Sequence, residues 1–383
     1  MSGKLEGKRL QFIMKPTYSC NAACSYCSVY KKGATSTAMT TKIFDKLIAR
    51  VDEEFEGVDF SQSSATFIWL GGEPLLMSNE FYENVYDKTM KNSREQPLKF
   101  KHSMQTNLTL YNSNKSTVLK KLLGGKDGSF SLGSSYDPVS DERVLVGPKS
   151  YKKEFLSAYF QLKKDNGKLG CIYVVHKGAL GHEKDIYSFF KNLGVQSFSV
   201  NSMSDFTGNY DSEVFGLSPK EQGEFFINMW KIWKEDDYAL RISPFFGWKH
   251  LRDTNEEKHL RCHNVENCSK NLFGLGPDGS VYECDRNMQA EELPLGNIHS
   301  DSFADIQKKK IFHKRHPVLK ESDCEGCKWW SYCKGGCPFE TKAYYQGEIG
   351  KTYWCESYKM LFEYINNEGL EEVKEKSTAE TSV

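Results

Sequence analysis

Three cysteines near the start of the chain are spaced closely enough to bind one metal centre together. Cys20, Cys24 and Cys27 stand as Cys-x3-Cys-x2-Cys in the run CNAACSYCS. A four-iron cluster needs four ligands, and this loop offers only three thiolates. One iron would therefore keep an open coordination position, as a reactive metal centre requires. A zinc knuckle, or a cluster completed by a distant cysteine, is the alternative.

A second motif follows a short apolar run that is typical of a buried strand. The run Ala65–Leu70 ends in Gly71, Gly72, Glu73 and Pro74. Paired glycines let the backbone approach a ligand closely, although Gly-Gly-Glu-Pro alone also fits an ordinary turn. One strand–helix unit separates this motif from the cysteine loop, so the two motifs together indicate one site.

Strand-like and helical stretches alternate up to about residue 235, which indicates an α/β fold with a parallel sheet. Six units favour a partial (β/α)6 barrel over 1–235 rather than a closed eight-fold barrel. Both motifs follow strands, at the end of the sheet where ligands bind. The predicted strands are Leu10–Met14, Ala65–Leu70, Phe100–Thr106, Phe130–Ser135, Cys171–Val175 and Ser197–Asn201. The predicted helices are Thr41–Glu56, Asn79–Lys91, Ser116–Leu123, Tyr151–Asn166, Glu183–Leu193 and Pro219–Glu235.

A cysteine-rich segment indicates a second domain over 236–365. We expect it to have little regular core and to be held together by metal, either two zinc sites or two iron–sulfur clusters. A charged, Ser/Thr-rich tail over 366–383 is predicted to be disordered. The remaining cysteine, Cys171, lies in an apolar strand and reads as a core residue. The eight cysteines of the segment are Cys262, Cys268, Cys284, Cys324, Cys327, Cys333, Cys337 and Cys355.

Composition narrows the class of protein. Lys plus Arg and Asp plus Glu both number 51, so net charge does not favour a nucleic-acid partner or an anionic membrane. No apolar stretch reaches about 18 residues, and the N-terminus MSGKLEGKRL has no apolar signal core. We therefore expect a cytoplasmic protein, and in that reducing compartment its twelve cysteines favour metal ligation over disulfides.

The cysteine loop and the Gly-Gly-Glu-Pro motif resemble those of the radical S-adenosylmethionine (SAM) enzymes. The resemblance implies that the open iron binds the amino and carboxylate groups of SAM. It also implies that the segment Gly71, Gly72, Glu73 and Pro74 contacts the same cofactor, and that cleavage yields a 5′-deoxyadenosyl radical.

The later cysteines resemble a SPASM domain, which implies two auxiliary clusters and therefore three [4Fe-4S] clusters in all. Seven positions of the pattern match, and Cys262 supplies an eighth. The family pattern assigns the ligands as Cys262, Cys268, Cys284 and Cys337 for the first auxiliary cluster, and Cys324, Cys327, Cys333 and Cys355 for the second.

Nearly the whole chain resembles the anaerobic sulfatase-maturating enzymes, which oxidise a cysteine or serine to formylglycine. The segments Ser103–Leu110, Cys327–Cys337 and Tyr353–Tyr358 carry this likeness. It implies a peptide or protein substrate and an electron donor such as flavodoxin or ferredoxin. Leu70, Leu108 and Pro138 depart from the family pattern on the substrate side of the barrel.

Individual residues take roles from the same resemblance. Tyr26 would contact SAM, Ser135 and Arg143 would hold its ribose and carboxylate, and Met203 would pack near the adenine. The alternatives are a turn serine, a solvated arginine and a core methionine.

Asp285 directly follows Cys284 and matches the proposed base of the maturases. Losing a hydrogen atom from Cβ, a proton and an electron converts a thiol or alcohol to a thioaldehyde or aldehyde. A carboxylate can take the proton, and an adjacent cluster could take the electron. The alternative is an aspartate that accepts local backbone hydrogen bonds.

Other functions stay open at this point. One is a peptide-natural-product maturase that forms thioether or carbon–carbon crosslinks, but only 19 residues precede Cys20, too few for its usual precursor-binding domain. Another is a small-alcohol dehydrogenase of the same superfamily. A non-catalytic iron–sulfur carrier would need neither an open three-cysteine site nor Gly-Gly-Glu-Pro.

Overall fold

A computed structural model describes residues 7–27, 29, 37–95, 98–125, 127–203, 212–266, 268–289, 292–344 and 350–380. Its strands are β1 (Arg9–Met14), β2 (Ser64–Trp69), β3 (Lys99–Met104), β4 (Phe130–Ser135), β5 (Gly167–Val175), β6 (Ser197–Ser202), β7 (Arg241–Ser243), β8 (Leu272–Leu275), β9 (Ser280–Tyr282) and β10 (Gly296–Asn297). Its α-helices are α1 (Thr41–Glu54), α2 (Asn79–Glu95), α3 (Ser113–Leu123), α4 (Tyr151–Lys164), α5 (Glu183–Leu193), α6 (Ser212–Phe215), α7 (Pro219–Glu235), α8 (Phe245–Thr254), α9 (Asp285–Gln289), α10 (Phe303–Lys309), α11 (Arg315–Lys320), α12 (Trp330–Cys333), α13 (Pro338–Tyr344) and α14 (Cys355–Glu380). Within these ranges, no helix is both long and apolar enough to cross a membrane.

The chain divides into two compact units, and the division differs from the boundary predicted at residue 235. The reason is that β8, which lies in the cysteine-rich segment, pairs with the first strand of the barrel. The first unit comprises Met1–Ile172, Asp205–Tyr210 and Ser269–Phe312, and the second comprises Tyr173–Ser204, Asp211–Cys268 and His313–Val383.

The first unit is built around a sheet with the strand order β10-β9-β8-β1-β2-β3. Strand β1 is parallel to both β2 and β8, and β2 is parallel to β3. Alternate residues of β1 point into the core, where the Phe12 ring lies 5.4 Å from Phe67 and 5.7 Å from Phe273. Strands β4 and β5 also pair in parallel, which gives the α/β architecture of a partial barrel. Cys171 is buried in β5, so its prediction as a core residue is confirmed.

Residues of the cysteine-rich segment take part in a regular apolar core of the second unit, contrary to the expectation that the segment has little regular core. Helices α7 and α14 are joined by hydrogen bonds from Trp230 Nε1 to Glu368 Oε2 (3.1 Å) and from Gln222 Nε2 to Ser357 Oγ (3.1 Å). Phe362 of α14 is fully buried and its ring lies 5.0 Å from that of Trp248. The expectation failed because glycine and cysteine content was taken as the dominant signal, whereas aromatic residues of helices supply the core.

The tail predicted to be disordered is helical as far as Glu380, where α14 ends. Residues 381–383 lie outside the described part of the chain. The tail is rich in Glu and Lys, which are strong helix formers, and it continues a helix that has already begun at Cys355. The expectation of disorder was based on the charge of the tail alone and did not take the preceding helix into account.

Candidate active site

The cysteine loop follows β1 and is held in place by backbone pairing with a later segment. Ala23 N donates to Val144 O (2.9 Å) and Ser25 N donates to Glu142 O (3.0 Å). Ala22 and Leu145 form an antiparallel bridge. The loop that carries Cys20, Cys24 and Cys27 is therefore fixed on both sides by residues of the same unit.

The two glycines of the Gly-Gly-Glu-Pro motif let β2 end directly against this loop. Gly72 N donates to Thr17 O (3.0 Å), and Glu73 N donates to Ser19 O (2.8 Å). A Cβ atom on Gly72 would lie 2.0 Å from Ser19 O, and Gly71 has a φ of +126°. Both positions require glycine because of this backbone approach, beside any contact they make with a cofactor.

Glu73 is fully buried and joins the carboxyl ends of β2 and β3. Its carboxylate accepts hydrogen bonds from Leu75 N (2.8 Å), Thr106 Oγ1 (2.6 Å) and Asn107 N (2.7 Å). Burial raises the pKa of Glu73 to about 7, while these three donors act in the opposite direction. The side chain thus has a structural role in this unit, and its predicted contact with SAM stays a prediction.

Polar groups surround two of the three cysteine sulfurs. Cys20 Sγ lies 3.4 Å from Ala22 N and 3.7 Å from Asn107 Nδ2, and Cys24 Sγ lies 4.0 Å from Arg143 Nη1. Burial raises the pKa of Cys20 to about 12 and also raises that of Cys24. Thiols in this setting suit metal ligation, because metal binding removes the proton and N–H donors then stabilise the sulfur charge.

Arg143 and Ser135 belong to one hydrogen-bonded network beside the cysteine loop. Arg143 Nε donates to Tyr26 Oη, and its Nη1 donates to Tyr151 Oη, both at 3.2 Å. Tyr151 Oη in turn donates to Ser135 O (2.9 Å), while Gln105 Nε2 donates to Ser135 Oγ (3.1 Å). Arg143 is therefore not a solvated surface arginine. The structure brings together Tyr26, Ser135 and Arg143, which are three of the residues predicted to contact SAM.

Asp285 lies beside Lys15, the residue that follows β1. Lys15 Nζ is 2.9 Å from Asp285 Oδ1, and Gln289 Nε2 donates to Asp285 Oδ2 (2.6 Å). The pairing of β1 with β8 causes this approach, since Lys15 N donates to Leu275 O (2.9 Å). Lys15 Nζ also lies 5.9 Å from the Tyr18 ring centroid. Asp285 thus has side-chain partners, rather than the local backbone partners of the alternative interpretation.

The four cysteines assigned to the second auxiliary cluster all line one pocket of the second unit, and their binding of a cluster stays a prediction. The pocket is partly open to solvent, and its cysteines are Cys324, Cys327, Cys333 and Cys355. Among the described residues, no three His, Cys, Asp or Glu side chains converge as ligands of a single metal ion. The four thiols instead surround a space, which fits a cuboidal cluster better than tetrahedral zinc.

The structure does not bring the remaining predicted residues together at one site. Cys284 belongs to the first unit, whereas Cys262, Cys268 and Cys337 belong to the second, so their grouping around one cluster stays a prediction. Met203 is buried at the end of β6, and its carbonyl accepts from Tyr344 Oη (3.3 Å). Its packing against adenine also stays a prediction.

Comparison with protein families decides the identity of this arrangement. The model of the Radical SAM superfamily matches residues 14–190, and that of SPASM, an iron–sulfur cluster-binding domain, matches residues 262–338. The chain contains a radical SAM domain and a SPASM domain. The first match contains the cysteine loop and the Gly-Gly-Glu-Pro motif, and the second contains seven of the eight later cysteines.

Similar proteins support the same family over most of the chain. A cysteine-type anaerobic sulfatase-maturating enzyme of Clostridium perfringens (strain 13 / Type A) is 27% identical over 375 residues, which cover 93% of this chain and 96% of the relative. A serine-type enzyme of Klebsiella aerogenes is 24% identical over 361 residues, covering 92% and 84%. The solved structure of native anSMEcpe with bound AdoMet has a TM-score of 0.76 and 25% identity, covering 93% of this chain and 96% of that one.

Several polar residues of this radical SAM enzyme were missed by the sequence analysis. Lys15, Gln105 and Asn107 all lie just beyond the carboxyl end of a strand. Polar side chains at such ends were a usable signal, because that edge of the sheet carries the site. Tyr151 begins a helix distant in sequence from both motifs, and nothing in its surroundings indicated a role.

Proposed function

We propose that this radical SAM/SPASM enzyme oxidises the Cβ of a cysteine or serine side chain in a peptide or protein to formylglycine. The observation that carries the proposal is the placement of Asp285 beside Lys15, in the unit that also holds the cysteine loop. The named activity of the relatives, maturation of sulfatases, agrees with it.

The proposed cofactors are SAM and three [4Fe-4S] clusters, and the donor sets of this chain fit them. Cys20, Cys24 and Cys27 would hold the first cluster, with Asn107 and Arg143 beside their sulfurs. When bound, this cluster and SAM supply a 5′-deoxyadenosyl radical, which removes a hydrogen atom from the substrate. The pocket of four cysteines would hold one auxiliary cluster, and Cys262, Cys268, Cys284 and Cys337 would hold the other.

The chain's own residues would orient SAM and the substrate and accept one proton. Gly71 and Gly72 let the end of β2 approach the cysteine loop, and Pro74 would contact SAM beside them. The side chains of Tyr26 and Arg143 are joined by a hydrogen bond next to the loop. Met203 completes the proposed cofactor contacts.

Asp285 is the proposed base for the thiol or hydroxyl proton of the substrate. Lys15 and Gln289 each contact one carboxylate oxygen and so fix the direction in which the carboxylate points. A positioned base of this kind contributes about 10²- to 10⁴-fold to a rate. The proposal further includes a cytoplasmic location and an electron donor such as flavodoxin or ferredoxin.

Label transfer from a peptide tests this function directly. The reconstituted, reduced enzyme would be incubated with SAM and sulfatase-like peptides of the form Cys-x-Pro-x-Arg or Ser-x-Pro-x-Arg, deuterated at Cβ. The expected result is deuterium in 5′-deoxyadenosine and a peptide that has been oxidised at the labelled residue. A peptide in which alanine replaces the target residue is the matched control and should give neither.

Two outcomes would contradict the proposal. Loss of two hydrogens together with a new ring, identified by fragmentation, would indicate a crosslinking maturase instead. Label transfer from a small alcohol, but from none of the peptides, would indicate an alcohol dehydrogenase of the same superfamily.

A further inference from the structure

Arg315 is a buried cation of the second unit whose guanidinium is only partly bonded. The residue is 5% exposed and begins α11. Its Nη2 donates to Gly335 O at 2.9 Å. Among the residues that the structure describes, neither Nε nor Nη1 has a hydrogen-bond partner. A buried guanidinium with two unsatisfied nitrogens is costly unless an anion lies next to it.

The surroundings of Arg315 contain thiols that become anionic when they bind metal. Gly335 lies in the turn between Cys333 and Cys337, and it also lines the four-cysteine pocket. Burial lowers the pKa of Arg315, and Cys337, Cys268 and Cys333 are groups whose negative charge, when they bind metal, would oppose that shift. The hydrogen bond to Gly335 therefore holds Arg315 against a turn whose two cysteines are assigned to different auxiliary clusters.

A carboxylate does not fulfil this role in the described structure. Glu340 is a buried acid that can also act on the charge of Arg315. One Glu340 oxygen accepts a hydrogen bond from Thr352 Oγ1 (2.9 Å). No carboxylate in the described ranges lies within ion-pair distance of the Arg315 guanidinium. The compensating negative charge is thus best supplied by metal-bound sulfur.

We propose that Arg315 is the internal countercharge of the SPASM clusters and raises their reduction potential. A [4Fe-4S] cluster with four thiolates is anionic, and one-electron reduction adds a further negative charge. A fixed cation therefore stabilises the reduced cluster more than the oxidised one. The Nε and Nη1 groups of Arg315 can also donate hydrogen bonds to cluster sulfur. The inference rests on the cofactors of the proposed function but not on the identity of the peptide substrate.

Redox titration of the auxiliary clusters tests this role without measuring activity. The full chain would carry C20A/C24A/C27A, so that only SPASM clusters contribute to the spectra. Arg315→Met removes the charge at similar volume, and Arg315→Lys keeps the charge but loses the planar fork. Arg252→Met is the matched control, because Arg252 is a partly buried arginine of the same unit that bonds Asp253 and Ile365 O. Iron content and the EPR signal would be followed during stepwise reduction with dithionite.

The expected result is a lower reduction potential in Arg315→Met, with iron retained. A tenfold smaller equilibrium constant for reduction corresponds to about 59 mV for a one-electron couple. Arg315→Lys should give a smaller shift in the same direction, and Arg252→Met should match the parent. Unchanged potentials in Arg315→Met, with clusters intact, would overturn the inference.

A second variant decides the case if Arg315→Met does not retain its clusters. Arg315→Gln, which is neutral but keeps an N–H donor, would then be measured, and a potential equal to that of the parent would overturn the inference. A parent that binds no iron in its SPASM segment would instead contradict the cofactors of the proposed function, so the two failures are distinguishable.

Discussion

Gly72→Ala adds one methyl group at the closest backbone contact of the cysteine loop. The new Cβ would lie 2.0 Å from Ser19 O and 2.6 Å from Tyr18 O. Real Cβ atoms do not approach other atoms within 3.0 Å, so β2 and the loop must separate by about 1 Å. Because Cys20 follows Ser19 directly, this movement displaces a predicted cluster ligand.

The energetic cost follows from the contacts that this separation breaks. Two hydrogen bonds hold the two segments together. Gly72 N donates to Thr17 O (3.0 Å), and Glu73 N donates to Ser19 O (2.8 Å). Their loss costs about 0.5–1.5 kcal/mol each, and overpacking adds about 1–3 kcal/mol. The total of about 2–6 kcal/mol is enough to distort the loop, whereas no residue that lines the four-cysteine pocket belongs to either segment.

Iron analysis after anaerobic reconstitution measures the result. Gly72→Ala should lose about a third of the iron, the share of one cluster in three, and should not cleave SAM. Gly128→Ala is the control, because Gly128 has a φ of +73° but no atom within 4 Å of its added Cβ. It should keep all its iron. Full iron content and parental SAM cleavage in Gly72→Ala would refute the steric argument.

Three further predictions concern the base, a strained residue and the first cluster. Asp285→Asn should keep its iron and its SAM cleavage but form oxidised peptide at least about 10²-fold more slowly; product formation at the parental rate would exclude Asp285 as the base. Leu108→Gly should destabilise the protein by about 1–4 kcal/mol in anaerobic denaturant unfolding, since losing a fully buried leucine outweighs relief of its φ of +69°; a gain in stability would show that strain dominates. C20A/C24A/C27A should remove about a third of the iron and abolish SAM cleavage, and unchanged cleavage would place the reactive cluster elsewhere.

Much of the barrel was predictable because its signals are local. The strand Phe130–Ser135 and the helices Glu183–Leu193 and Pro219–Glu235 have the predicted bounds. Pro219–Glu235 shows why: Ser218 and Glu221 form a capping box at its start, and an apolar face follows at helical spacing. Where the prediction failed, in the core of the cysteine-rich segment, the packing partners of α14 are far away in the sequence.

Local spacing in the sequence was enough to predict the metal and cofactor chemistry of this protein. Cys20, Cys24 and Cys27 lie within eight residues, and Gly71 and Gly72 are adjacent, so spacing alone brings these groups together. A motif of this kind needs no long-range contact to be recognised, since its function depends on residues that the chain already holds close.

The tertiary structure alone decided which distant residues serve these motifs. Lys15 meets Asp285 across 270 positions of sequence because β8 inserts beside β1, and no periodicity of either segment specifies that pairing. In the sequence, Arg315 is one basic residue in a lysine-rich stretch. Only the fold buries it against Gly335 and leaves two of its nitrogens without protein partners in the described structure. Long-range contacts of this kind depend on the packing of the whole chain, which local sequence patterns do not encode.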